Sequence, residues 1–312
     1  MVSVVIPCYN VERCVGRAVR SVLAQSLALA EIVCVDDGST DGTLEVLQEL
    51  AEVAPSRLRV LSGPNRGAPA ARNRGLAEAS CEYVQFLDAD DALDPDKLER
   101  QMRAAHAASP PADFVVGGYR RLMLDGSETV KRVAGGDDWI NLFVKQLGIT
   151  SANLWRRDAL KSVGGWNEMW GSSQEYELMF RLLKHGARVA YDDSIATTLW
   201  EREGSISSGF STPNRVRYTR LRVDALRHLE KEEMLVHERE RTVRESTFTL
   251  VRSLYSYDAE EAVSLYRQAF RSRYVPPISN ANTLPYVVAH CLLGFRGVER
   301  VRSLLKLSGL LS

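Results

Sequence analysis

Residues Phe86 to Asp91 read Phe-Leu-Asp-Ala-Asp-Asp and close an apolar run with three carboxylates. Period-two strand geometry sends Asp88 and Asp90 to the same side, where water, protonation or a hard cation such as Mg²⁺ or Mn²⁺ must relieve their repulsion. A metal that also grips phosphate suits that chemistry. An acidic loop leading into a helix cap is the other reading, since Asp91, Asp94 and Asp96 stand near the start of a helix carrying Leu98 and Met102. A second acidic cluster, Asp36-Asp37-Gly38-Ser39-Thr40-Asp41-Gly42, offers carboxylates that could accept hydrogen bonds from a base N–H or from ribose hydroxyls. An Asp-Gly turn with a Ser/Thr cap explains Gly38, Ser39 and Asp41, but not the doubled Asp36-Asp37. The third candidate is Glu175, three residues before Leu178 and seven before Leu182, on the apolar stripe of a helix. Its plain alternative is a first-turn carboxylate that stabilises the helix N-terminus. Glu177 points elsewhere and stands four before Arg181, the spacing of a surface ion pair.

The elements that must hold these residues alternate. Strand-like runs at Val2 to Ile6, Glu31 to Val35, Leu58 to Leu61 and Tyr83 to Leu87 are separated by segments with apolar residues three or four apart. Val11, Val15, Ala18 and Val22 mark the first helix, with Asn10 as its expected cap, and Leu44, Leu47 and Ala51 mark the second. Continuous apolar strands joined by crossovers imply a mostly parallel sheet with helices on both faces. Ligands of such sheets lie beyond the C-terminal strand ends. Pro7 to Asn10, Asp36 to Gly42, Asn65 to Gly67 and Asp88 to Asp91 all fall at those ends. No Gly-x-Gly-x-x-Gly follows the first strand and no Gly-x-x-x-x-Gly-Lys-Ser/Thr occurs, so a phosphate here would be held through a cation rather than a glycine loop.

The chain has 312 residues, 45% hydrophobic and 26% charged, with Lys plus Arg equal to Asp plus Glu. That balance hides a polarity: residues 213–312 carry 17 Lys/Arg against 11 Asp/Glu, and the preceding residues carry the compensating acidic excess. A basic tail suggests an anionic partner or a solvated helical surface. Five cysteines in mainly apolar contexts suit a reducing cytosol, with Cys8 and Cys34 read as buried thiols. The opening apolar run lacks a basic n-region and is too short for a signal peptide, and no stretch approaches the roughly 20 apolar residues of a spanning helix.

The opening Val-Val-Ile-Pro-Cys-Tyr-Asn, the Asp-Asp-Gly-Ser-Thr-Asp-Gly-Thr, Asn65-Arg66-Gly67 followed by Ala71-Arg72-Asn73-Arg74-Gly75, and Phe-Leu-Asp-Ala-Asp-Asp stand in the order and spacing of a known family. Over roughly its first 100 residues the chain resembles the inverting family-2 glycosyltransferases, whose catalytic domains have the GT-A nucleotide-sugar-binding fold. The resemblance implies that Pro7, Tyr9 and Asp37 surround a nucleobase and that Asn65 and Arg72 lie close to the nucleotide. It also implies that Asp88 lies near the ribose and sugar, and that Asp90 holds the Mn²⁺ or Mg²⁺ bridging the diphosphate. Its members usually carry Glu-Asp where this chain has Gln174-Glu175, the second acid being the base; Glu keeps the carboxylate on a longer arm. Gly164-Gly165-Trp166-Asn167-Glu168 resembles a segment in which Trp166 would line the acceptor side or serve as a core aromatic. Arg202 stands at or near the place where many relatives supply a His to the metal or diphosphate.

The expectation is therefore an α/β enzyme, with residues 1–212 as the GT-A catalytic domain and residues 213–312 as a helical, basic C-terminal accessory region. It would move a sugar from a nucleoside-diphosphate sugar, by family habit a UDP-sugar, to a hydroxyl of a glycan or lipid-linked acceptor in cell-surface polysaccharide biosynthesis. A non-catalytic nucleotide-sugar-binding scaffold and a nucleotide-sugar pyrophosphorylase are the alternatives. The last stretch, Leu284 to Leu311, reads either as an amphipathic segment at the inner membrane face or as a surface packing on the catalytic domain or a second subunit. A cytoplasmic location and no nucleic-acid partner are expected.

Overall fold

A computed structural model describes residues 1–28, 30–107, 109–201, 211–270, 274–279 and 282–307. The apolar runs of the N-terminal half become parallel strands β1 (Val2–Cys8), β2 (Glu31–Asp36), β3 (Leu58–Ser62) and β4 (Tyr83–Phe86). They are joined by helices α1 (Val15–Leu23), α2 (Thr43–Val53) and α3 (Ala68–Glu78). Val2, Val4, Val5 and Ile6 are fully buried, as a strand covered on both faces requires. The remaining elements of the first unit are β5 (Ala92–Leu93), α4 (Lys97–His106), β6 (Phe114–Leu122), β7 (Glu128–Lys131), α5 (Asp138–Phe143), β8 (Leu154–Arg156), α6 (Arg157–Ser162), α7 (Gln174–Lys184) and β9 (Val189–Trp200).

The strand order is β3-β2-β1-β4-β8-β6-β9-β5, with β7 paired to β6. Short β8 runs antiparallel to both β4 and β6, and β9 runs parallel to β6. Two reversals restore direction, so the C-terminal ends of β6 and β9 share the rim formed by the ends of β1 to β4. The fold is thus a mixed, mostly parallel α/β sheet flanked by helices.

One close approach sets the position of α3 over that sheet. A Cβ on Gly75 would lie 2.2 Å from Val5 Cγ1, so only glycine lets α3 sit directly on β1. Arg72, one turn earlier, is thereby carried to the rim. At the entrance to α3, Gly67 takes φ +90, a conformation that a side chain would strain.

The sequence placed Asn10 as the cap of α1, and the structure differs. Asn10 itself adopts φ 52, the first helical residue is Val15, and the flanking Cys14 makes no side-chain cap bond. Asn10 Oδ1 instead accepts from Thr40 N at 2.8 Å, while Asn10 N donates to Ser39 Oγ at 3.1 Å, so the residue staples two rim loops together.

The chain divides into two compact units, Met1–Ile206 and Ser207–Ser312. The second is helical: α8 (Thr212–Lys231), α9 (His237–Leu254), α10 (Ala259–Ala269) and α11 (Leu284–Leu307). Its core gathers Tyr266, Phe270, Tyr286, His290 and Phe295 around Phe248. Helix α11 is broken at Gly294, with φ 68. It buries Tyr286, Val287, Phe295 and Val298 and leaves Leu284, Val288, Leu292 and Leu304 exposed. Among the described residues no helix is long and apolar enough to cross a membrane.

Candidate active site

The loops after β1, β2 and β3 are knitted by acidic side chains. Asp36 is buried, and its carboxylate accepts from Ser39 N at 3.2 Å and Ser62 Oγ at 2.9 Å. Asp37 accepts from the backbone amides of Arg66 at 2.9 Å and Gly67 at 2.8 Å, and its own amide donates to Cys8 O at 2.8 Å. The doubled acid therefore fixes the Asn65–Gly67 loop against the ends of β1 and β2. Each Asp37 oxygen retains a further lone pair for another donor. Around it Tyr9 and Asn65 are exposed and Pro7 is half-buried. Cys8 and Cys34 are buried thiols, and their mutual contact and burial push the Cys8 thiol up.

Beyond β4 the three carboxylates differ in setting. Asp88 and Asp90 are partly exposed, whereas Asp91 is 5% exposed. Burial, then the negative charges of Asp88 and Asp90, push the Asp91 carboxyl well above the usual range. One buried hydroxyl organises the turn: Ser151 Oγ accepts from Asp88 N at 3.1 Å and donates to Asp91 Oδ2 at 2.6 Å. Arg17 Nη2 donates to Asp90 O at 2.7 Å, and its guanidinium carbon lies 3.6 Å from the centroid of the Trp200 ring. Beneath the turn, Lys97 is 1% exposed and its Nζ donates to Gln85 Oε1; Gln85 Nε2 donates in turn to Ser151 O at 2.9 Å. Burial drives the Lys97 ammonium well below its ordinary pKa.

Arg72 connects this turn to α7. Its guanidinium is 6% exposed; Nη2 donates to Asp88 Oδ1 at 2.7 Å and Nη1 donates to Gln174 Oε1 at 2.6 Å. Glu175 follows, in the first turn of α7. It keeps part of its surface open yet lies deep enough that desolvation raises its carboxyl above the ordinary value. Its own backbone amide and then Arg72 oppose that rise, Asp88 adds to it, and Lys145 opposes it. Such a carboxylate is a stronger proton acceptor than one in water. Tyr119 on β6 lies in the same field: burial raises its hydroxyl pKa, Arg121 opposes, and Glu175 adds to the rise.

Other expectations sort by where the side chains lie. Trp166 is 2% exposed and packs edge-on against Phe86 and Trp155, with the Arg72 guanidinium carbon 4.8 Å from its ring centroid. In this structure it offers no surface to an acceptor and serves as a floor for Arg72, the core reading. The Glu177–Arg181 pair forms, but it is not a surface pair: Glu177 is 6% exposed and receives both Nε at 2.8 Å and Nη2 at 2.7 Å. Arg202 lies outside the described residues. Among the described residues no group of three or more His, Cys, Asp or Glu could hold a metal ion. Sequence reasoning missed Arg17, Ser151, Tyr119, Arg121 and Lys145. Only the placement of Tyr119 and Arg121 two apart near the end of an apolar strand gave any signal.

Comparison with known proteins gives the family. Residues 3–162 match the profile of Glycosyl transferase family 2, and the chain belongs to that family. Over 128 residues it is 41% identical to an uncharacterised glycosyltransferase of Nostoc, covering 41% of this chain and 38% of the relative. It is 39% identical over 127 residues to TuaG of Bacillus subtilis, named for teichuronic acid biosynthesis, covering 41% of this chain and 50% of TuaG. The match thus spans half or less of the length of these curated relatives. Among solved structures, residues 1–349 of S. aureus TarS in complex with UDP-GlcNAc superpose with a TM-score of 0.66 at 17% identity. That superposition covers 97% of this chain and 91% of TarS 1–349, and establishes the shared GT-A fold.

Proposed function

We propose that the protein is an inverting, metal-dependent glycosyltransferase that moves a sugar from a UDP-sugar to a hydroxyl of a glycan or lipid-linked acceptor in cell-surface polysaccharide biosynthesis. The observation that carries this reading is the Arg72 bridge, which ties Asp88 to Gln174, the residue before Glu175, with the raised Glu175 carboxyl in the field of both Arg72 and Asp88. TuaG's name and the sugar nucleotide bound to TarS support the acceptor and donor classes.

In this reading residues 1–212 form the catalytic domain and residues 213–312 an accessory region. Pro7, Tyr9, Asp37 and Asn65 receive the nucleoside, and Asp88, oriented by Arg72, meets the ribose and sugar. The acidic turn offers oxygens of the type a hard divalent cation takes, and, after burial, the charges of Asp88 and Asp90 add to the rise of the Asp91 carboxyl. Mn²⁺ or Mg²⁺ on Asp90, completed by phosphate and water oxygens, would neutralise charge developing on the departing diphosphate. Arg202 is assigned to the same diphosphate. Glu175 takes the proton of the acceptor hydroxyl, the freed oxygen forms its bond to the anomeric carbon, and the bond to the nucleoside diphosphate breaks on the opposite face. One displacement inverts the centre without a covalent intermediate.

Calorimetry with UDP-, GDP- and dTDP-sugars, with and without Mn²⁺, on the native chain and on Asp90→Ala tests the donor half. Metal-dependent binding of UDP-sugars that is lost in Asp90→Ala is expected; absence of binding under every condition would overturn the enzyme reading in favour of a degenerate scaffold.

A further inference from the structure

Gln174 begins α7, immediately before Glu175. Its amide oxygen receives one arm of the Arg72 guanidinium at 2.6 Å while the other arm holds Asp88 at 2.7 Å. The guanidinium is buried and rests over the Trp166 ring, so its two donors leave in fixed directions. We propose that Gln174 is a positioning residue for Glu175: it ties the first turn of α7 to the Arg72–Asp88 pair, and as a neutral amide it does so without cancelling the guanidinium's charge. The inference rests on the reading of Glu175 as the base.

The argument is one of charge as much as geometry. The charged groups that act on Glu175 include Arg72 from α3, Asp88 from the turn after β4 and Lys145 from the segment after α5, and Glu175 in turn acts on Tyr119 of β6. The Glu175 backbone amide, then Arg72 and Lys145, restrain the rise caused by burial, and the positive charge of the two side chains outweighs Asp88 among these groups. A carboxylate at position 174 would accept the same Arg72 bond but would remove that surplus and set a second anion beside Glu175. An alanine would keep the charge balance and remove the tie. The two substitutions therefore separate positioning from electrostatics.

The first readout needs no substrate. In the full chain with ¹³C-labelled glutamate carboxyls, the Glu175 resonance is assigned by its absence in Glu175→Gln and titrated. Gln174→Glu is expected to move its midpoint up by about one unit, a tenfold change in proton affinity. The second readout is release of UDP from UDP-GlcNAc with Mn²⁺. Gln174→Ala is expected to lower kcat roughly thirtyfold, the scale of one lost hydrogen bond to a charged group, with KM for the donor within about twofold. Gln174→Glu, which keeps the bond, is expected to recover kcat at high pH. An unmoved Glu175 midpoint in Gln174→Glu, or Gln174→Ala with native kcat or with a loss confined to KM, would overturn the inference. Full turnover by Glu175→Gln would instead remove the base reading on which it stands, whereas an inactive Glu175→Gln beside a native-like Gln174→Ala would remove the positioning role alone.

Discussion

Ser151→Ala removes a single oxygen, yet that oxygen serves two buried groups. Without it the Asp88 amide loses its acceptor at 3.1 Å and the Asp91 carboxyl loses its donor at 2.6 Å. Ser151 is fully buried and Asp91 nearly so, which keeps water from replacing the bonds. Each buried group left unsatisfied costs about 1–3 kcal/mol, so the pair costs roughly 2–4 kcal/mol once partial relaxation is allowed for. For a unit of this size that corresponds to a fall in Tm of roughly 5–12 °C. The loss also depends on pH. An acid whose folded pKa is raised keeps its proton longer in the native state, so stability falls as pH climbs from the unfolded Asp value, about 3.9, through the raised one. The Ser151 bond opposes that rise, and deleting it steepens the fall. Scanning calorimetry from pH 5 to 8.5 is expected to show a deficit that widens with pH. A Tm change under about 2 °C throughout, or a deficit that narrows as pH rises, would refute the role assigned to this hydroxyl.

Glu175→Gln is expected to cut sugar transfer by about 10²–10⁴ while leaving UDP binding by calorimetry unchanged, the mark of a lost base rather than a lost site. Because the Glu175 carboxyl is raised, native kcat should fall on acidification at a pH above the ordinary Glu value, and a limb at or below that value would count against the assignment. Gly75→Ala forces a methyl to within 2.2 Å of Val5 and should cost about 1–3 kcal/mol, read as a lower Tm together with weaker UDP binding as Arg72 shifts. Lys97→Met should flatten the pH dependence of stability on the alkaline side. With its folded pKa depressed, native Lys97 leaves the protein most stable above about 10.5 and progressively less so as pH falls toward the depressed value, and denaturant melts at pH 7 and 10 would detect the loss of that slope.

The four parallel strands were readable because each is a short, continuous apolar run, and the rim followed from their direction. The acidic turn and the Glu175 stripe were readable for the same local reason. Strands β5 and β8 have two and three residues and no alternation to detect; partners distant in sequence define them. Ser151 carries no pattern at all, since its meaning lies in meeting a turn some 60 residues away. Helix α3 hides its purpose differently: Gly75 looks like filler until its lack of a side chain is seen to let the helix carrying Arg72 approach the sheet. Asn10 misled because a cap residue and a left-handed turn residue draw on the same side-chain chemistry.

Lys97 is enclosed by protein and bonded to Gln85 under the acidic turn, and burial favours its uncharged form. An acylating reagent can reach it only when the surrounding protein parts. Its labelling rate is therefore a clock for the breathing of the turn, and the interval it records should lengthen whenever a ligand clamps the rim.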